Sequence, residues 1–204
     1  MDDTNMRLDD LEGSNVRPDR PDEERARGPD TEEFPREIEP EEPPDRAGRP
    51  RRLSRRGAEF VARFEGCILR LYDDPAGHCT IGIGHLVHHG RCDGSEPAEF
   101  RRGITRERAF ELLRDDAAEV ARAIRRHVRV PLNQTQFDAL CSFGFNCGTG
   151  AIQTSTLTRR LNAGEYAAVP GELNRWVKAG GQTLPGLVRR RKAEGELFAR
   201  GKYG

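Results

Sequence analysis

The sequence lacks any stretch of about twenty apolar residues, which excludes a membrane-spanning helix. No apolar run follows the N-terminus, so a Sec-type signal peptide is not expected. A protein made this way in the cytoplasm would need release, or delivery by another system, to act outside it. Internal repeats are absent, which sets aside stacked-repeat architectures. Net charge is absent too, since 34 basic residues balance 34 acidic ones. Cysteine is sparse and odd in number: five, at 67, 79, 92, 141 and 147, so at least one thiol stays free if disulfides form.

The zero net charge is an average over two unlike parts. Residues 1–56 hold 12 Arg against 17 acidic residues, a net of −5, and the remainder is +5. Eight of the 13 prolines also lie in 1–56, where apolar residues are few. Such a segment buries too little surface to offset its ordering entropy, so 1–56 reads as an acidic, disordered tail. Its end, the basic run from Arg49 to Arg56, reads as a solvated linker. The domain proper reads as 57–204. A basic domain suits an anionic partner, and +5 by itself does not choose which.

The domain opens with Phe60, Val61 and Phe64 at helical spacing, a short helix over 58–65 that Gly66 breaks. Residues 68–72 are β-favouring, and Asp73-Asp74-Pro75-Ala76-Gly77 has the composition of a turn. Residues 79–83 alternate as a strand does, which predicts a small antiparallel sheet. A polar loop follows over 86–103. Thr105 is a good N-cap for a long helix over 106–127. Asn133 with Gln136 spells a capping box, opening a helix that Asn146-Cys147-Gly148 closes. Shorter helical patterns fall at 156–162, 165–169 and 172–178. A Gly-rich turn at 180–186 leads to a last helix over 187–199, with Leu187, Val188, Ala193, Leu197 and Phe198 inward. The fold class is α+β: a small antiparallel sheet lobe on a mostly helical lobe.

One stretch concentrates chemistry. Glu65 ends a helix, Asp74 sits in a turn nine positions on, and Thr80 follows six later. Hydrolysing an acetal needs a proton on the leaving oxygen and a water held at the anomeric carbon. Glu65 follows apolar Phe64 at a helix rim, where partial desolvation favours the protonated acid. Asp74, in a solvated turn, is the candidate to orient water, with the Thr80 hydroxyl beside it. A surface carboxylate pair is the competing explanation, and the spacing alone does not separate the two.

The surrounding letters do. Phe64-Glu65-Gly66-Cys67, Leu71-Tyr72-Asp73-Asp74-Pro75-Ala76-Gly77 and Thr80-Ile81-Gly82-Ile83-Gly84-His85 resemble the catalytic region of phage-type lysozymes, the endolysin and autolysin family. That family's signature is Glu, eight residues, Asp or Cys, five residues, Thr, and Glu65, Asp74 and Thr80 fall on it without a gap. The resemblance continues in order through Gly103–Ala109, Phe143-Gly144-Phe145-Asn146-Cys147-Gly148, Thr156-Leu157 and Trp176–Leu197. It implies a lysozyme-like fold and a metal-independent, monomeric muramidase that cleaves the β-1,4 bond between N-acetylmuramic acid and N-acetylglucosamine. Glu65 would be the general acid, with Asp74 and Thr80 positioning water and inversion as the outcome. Peptidoglycan is the implied partner; neither nucleic acid nor membrane insertion is expected. Two departures stand out. The 86–102 loop is family-variable, and Pro170-Gly171 interrupts what is usually a continuous helix.

Other residues carry two readings each. Asn146 is a helix-end residue or a sugar contact. His85 is a structural, hydrogen-bonded histidine or a substrate contact. Trp176 is core or a stacking platform. Arg189-Arg190-Arg191-Lys192 cannot all face inward on one helix and reads as mostly solvated, with Arg190 the candidate to reach the cleft. Cys79 and Cys92 flank a polar loop and are the disulfide candidate; free thiols are the alternative. A mixed site with His78, His85, His88 and His89 is a third reading, but the spacing fits no standard zinc finger, so neither metal nor cofactor is expected. A non-catalytic wall-binding module and a transglycosylase-like enzyme using Glu65 alone are the competing functions.

Overall fold

The computed structural model describes residues 45–204 apart from 47 and 51, so most of the 1–56 tail lies outside the described residues. The basic run at its end is more than a linker. Leu53 is buried, and the Ser54 Oγ accepts the Gly57 N–H at 2.9 Å to cap the first helix, α1, Arg55–Glu65. The helix thus starts three residues before the apolar spacing suggested, because the serine supplies its own start signal. Arg49 reaches across to the Val128 carbonyl.

Three strands follow: β1 (Ile68–Asp73), β2 (Cys79–Gly82) and β3 (His85–His88). They form one antiparallel sheet in that order, with Tyr72 opposite Thr80 and Thr80 opposite Leu86. Helix α2 (Arg106–His127) spans the range its Thr105 cap predicted, the Thr105 Oγ accepting from the Arg108 N–H. Helix α3 (Gln134–Cys147) opens with the capping box made by Asn133 and Gln136. Then come α4 (Thr149–Thr154), α5 (Thr156–Asn162), a 3-10 turn at Tyr166–Ala168 and α6 (Val169–Leu173). Pro170 lies in the first turn of α6, where its missing N–H costs nothing, so the proline starts a helix here. The helical pattern read at 172–178 stops at Leu173. A hairpin replaces its end and the Gly-rich turn: β4 (Lys178–Ala179) and β5 (Gln182–Thr183) around Gly180 and Gly181, φ 56° and 75°. Two left-handed residues are what a tight hairpin demands. The last helix, α7, runs Pro185–Arg200.

Helix α3 is the axis of the helical lobe, and every residue from Phe137 to Cys147 is buried. Helices α1, α2 and α7 pack around it. Truncating a core side chain such as Phe137 or Leu140 to Ala would cost about 2–5 kcal/mol. The sheet lobe has its own small core of Ile81, Phe100 and Leu112, flanked by Leu71, Val87 and Ile104. At the meeting of α1 and α3 there is no room for a side chain: a Cβ on Gly57 would stand 2.5 Å from the Asp138 carboxyl carbon. That contact holds the end of α1 opposite to Glu65.

Candidate active site

Glu65 is the final residue of α1. Gly66, at φ 70°, turns the chain away, and its N–H closes the last turn on the Ala62 carbonyl. A carboxylate at a helix C-terminus faces the negative end of the dipole and needs a cation nearby. Arg190 of α7 supplies it, its Nη1 donating to Glu65 Oε1 at 2.8 Å. Glu65 is 9% exposed and Arg190 fully buried. The contact falls on Oε1 and leaves Oε2 outside it.

Arg190 is itself held on three other sides. Its Nε donates to Glu194 Oε1 at 3.1 Å, its Nη2 to the Ser142 carbonyl at 3.2 Å, and its guanidinium lies over the Phe64 ring. Glu194 also accepts the Ser142 hydroxyl at 2.6 Å and pairs with Arg191 at 2.9 Å. Arg191 donates to Asn146 Oδ1 at 2.8 Å and to the Cys147 sulfur, and stacks over Phe143. Glu65, Arg190, Glu194 and Arg191 therefore make a buried chain of two carboxyl groups and two guanidinium groups. Such a cluster is tolerable because the opposed groups pair with one another and hydrogen-bond to Ser142 and Asn146.

Asp74 and Thr80 sit on the β1–β2 hairpin and are joined through one residue. Asp74 Oδ1 accepts the N–H of Ala76 at 2.9 Å and of His78 at 2.8 Å. The Thr80 hydroxyl donates to the His78 carbonyl at 3.2 Å. Asp74 is half-buried and Thr80 buried. Both Asp74 bonds use Oδ1, an Asx-type arrangement in which the side chain rigidifies its own turn.

The other sequence-level candidates fall as follows. The His85 Nδ1 lies 3.0 Å from Asp116 Oδ2 on α2, and its ring packs edge-on against Phe100. Asn146 is fully buried under Arg191, inside the last turn of α3, whose end is formed by Gly148 at φ 82°. Trp176 is partly buried and packs edge-on against Phe143. Cys79 and Cys92 are joined as a disulfide; Cys67, Cys141 and Cys147 are free. Burial pushes the Cys141 and Cys147 thiols up, so neither is poised as a nucleophile.

The basic run on α7 needs correction. Arg190 and Arg191 are fully buried, while Arg189 and Lys192 are exposed. Val188, expected inward, is 42% exposed. The missed residues are Arg191, Glu194 and Ser142. A signal for two of them was present: Leu187, Arg190, Arg191, Glu194 and Leu197 recur at helical spacing, with Glu194 three and four positions after the two arginines.

The fold and this site together define a lysozyme-like glycoside hydrolase. The family model for phage lysozyme matches residues 62–194, and the chain belongs to that family. An endolysin of Acyrthosiphon pisum secondary endosymbiont phage 1 is 41% identical over 150 residues, spanning 72% of this chain and 97% of that protein. A crystal structure of a lysozyme mutant of phage P22 matches with a TM-score of 0.63 at 41% identity, covering 72% of this chain and 97% of that one. The muramidase domain of SpmX from Asticaccaulis excentricus matches with a TM-score of 0.61 at 35% identity, again over 72% and 97%.

Proposed function

We propose that this enzyme hydrolyses peptidoglycan at the β-1,4 bond between N-acetylmuramic acid and N-acetylglucosamine, with inversion at the anomeric carbon. The domain would begin at Leu53, which is buried in its core, rather than at residue 57, and would act as a monomer with no metal or cofactor in the reaction. The observation that carries this reading is the Glu65–Arg190 contact at 2.8 Å on one carboxylate oxygen only. Oε2 is then the oxygen to carry the catalytic proton. As that proton moves to the leaving glycosidic oxygen, negative charge grows on Glu65. Arg190 is in place to stabilise it, an interaction stronger in the transition state than before it. Glu194, bonded to the far side of Arg190, shares the cation and keeps it fixed.

On the other side, Asp74 would hold the attacking water through Oδ2, with Thr80 beside it. The hairpin bonds keep both residues in register. Arg190 acts in this account on Glu65, and Asn146 acts through Arg191; His85 would present its free ring edge to a sugar while Asp116 holds Nδ1. The net +5 beyond residue 56 favours an anionic wall polymer. No helix among the described residues is long and apolar enough to cross a membrane, and we infer action on the wall after release or delivery.

Glu65→Gln tests the assignment. Wall lysis should fall about 10²–10⁴-fold, the range for loss of a general acid, with the far-UV spectrum unchanged. Lysis at the wild-type rate would remove Glu65 from the mechanism. Product analysis by NMR should show the inverted anomer, whereas anhydro-sugar ends by mass spectrometry would mean a transglycosylase using Glu65 alone.

A further inference from the structure

Charge is divided along the chain more sharply at residue 44 than at residue 56. Residues 1–44 hold 16 acidic residues against 6 arginines, a net of −10, and 45–204 hold 28 basic residues against 18 acidic, a net of +10. Residues 37–42, just before that boundary, carry Glu37, Glu39, Glu41 and Glu42 and no basic residue.

The point where this segment joins the domain is fixed. Asp45 and Arg49 close a turn: the Asp45 N–H donates to the Arg49 carbonyl at 2.8 Å, and Asp45 Oδ2 pairs with the Arg49 guanidinium at 2.7 Å. Arg49 in turn donates to the carbonyl of Val128, the residue that caps the C-terminal end of α2. The acidic segment therefore enters the domain beside that end of α2.

The same end of α2 is basic. From Arg122 to Arg129 there are four arginines and no carboxylate. Their spacing, i, i+3, i+4 and i+7, is that of one helical stripe, and like charges so placed repel. Arg129, just past the helix, is held by its N–H bond to Asn162 Oδ1 at 2.7 Å. Arg122, Arg126 and Arg129 are exposed, and no carboxylate among the described residues pairs with them. By contrast, Arg55 pairs with Glu59, Arg91 with Asp73 and Arg160 with Glu165. What the stripe lacks is negative charge, and the segment tethered next to it supplies that charge.

We propose that residues 37–42 of the same chain lie on this stripe, their carboxylates against Arg122, Arg126 and Arg129, as a cover that salt or a competing polyanion removes. The reach suffices. Glu42 is three residues from Asp45 and Glu37 eight, spans of at most about 11 Å and about 29 Å. The stripe is about 10 Å long, at about 1.5 Å per residue. Exposed ion pairs are individually weak and are screened by salt. A short tether offsets that weakness, because it holds the segment at a millimolar local concentration and so populates a contact of only millimolar strength. A polyanion arriving at the stripe has to displace the segment first. No residue of the candidate active site takes part, so the contact does not depend on the role of Glu65.

Amide and arginine Nε–Hε NMR signals of the isotope-labelled full chain test the contact. Raising salt from about 0.02 M to about 0.5 M shortens the Debye length from about 20 Å to about 4 Å. Signals of Arg122, Arg126 and Arg129 should then shift together with those of residues 37–42, to the same extent at every protein concentration. The variant Glu37→Gln/Glu39→Gln/Glu41→Gln/Glu42→Gln should lose most of the shift at the arginines. Three results would overturn the proposal. Arginine shifts that persist in that variant would mean screening of a solvated stripe. Tail signals that respond to salt equally in Arg122→Ser/Arg126→Ser/Arg129→Ser would put the segment on another surface. Shifts that grow with protein concentration would put it on a second copy of the chain. Dextran sulfate then reads the cover itself. Neutralising the four glutamates should raise its affinity several-fold with the stripe intact and much less with the three arginines replaced. Equal gains in both backgrounds would mean that net charge alone acts and that the stripe is not covered.

Discussion

The two parts of the candidate site are built in opposite ways. On the helical side, Glu65 is fixed by a residue 125 positions away, within a buried cluster of four ionisable side chains. On the sheet side, Asp74 and Thr80 are fixed by His78, four and two positions away, through backbone groups near solvent. The helical side spends desolvation on placing one carboxyl and depends on every member of its network. The sheet side needs only a short turn. Breaking the first should damage the fold and the chemistry together; breaking the second should damage the chemistry alone.

Arg190→Ala is the strongest test. It leaves Glu65 without its partner and Glu194 with one cation in place of two. Removing one member of a buried ion cluster costs about 3–5 kcal/mol, and urea denaturation should show a loss of that size. Lysis should fall in parallel even at temperatures where the variant stays folded. Arg190→Lys should not rescue, because one ammonium cannot span Glu65, Glu194 and the Ser142 carbonyl at once. A variant that kept both stability and activity would make the network incidental.

Asp74→Asn probes the sheet side. The Asn Oδ1 can still accept the Ala76 and His78 N–H groups, so the turn survives and the urea midpoint should move by less than about 0.5 kcal/mol. Activity should nonetheless drop about 10²-fold, since the amide nitrogen replaces the oxygen assigned to the water. Thr80→Ser, which keeps the hydroxyl, should be the milder neighbour. If Asp74→Asn lost stability in proportion to activity, the contrast between the two sides would fail.

This contrast also explains what was legible in the sequence. The hairpin was readable because its signals are local: a helix-breaking glycine, a turn-rich pentapeptide, an alternating strand. The Thr105 and Asn133–Gln136 caps marked two helix starts for the same reason. The family signature singles out Glu65, Asp74 and Thr80 as candidates without any geometry. Arg191, Glu194 and Ser142 were hidden because the α7 charge run looks solvated when taken one residue at a time. Only its phase against Leu187 and Leu197 separates the two inward arginines from their outward neighbours. Asn146 looked like a helix cap because its letters sit at a helix end, yet its partner is Arg191, far along the chain. The β4–β5 hairpin was missed because a two-residue strand carries no period to detect.

A second buried carboxylate shows what burial does where no cation stands beside it. Asp138 of α3 is as buried as Glu194, but its hydrogen-bond partners are neutral: the Ser54 N–H at 3.0 Å and hydroxyl, Gln134 at 2.8 Å and Tyr203 at 2.7 Å. Desolvation outweighs those donors and pushes its carboxyl above the usual 3.8. The folded state therefore holds this proton more tightly than the unfolded chain. Its stabilising contribution is full below about pH 3.8 and is lost as pH rises through the folded value. Comparing urea midpoints of the wild type and Asp138→Asn across that window should show the wild type losing ground as pH rises. The slope is at most one proton, about 1.4 kcal/mol per pH unit. Wild type and Asp138→Asn keeping a constant difference across that window would mean that burial does not bias the Asp138 proton.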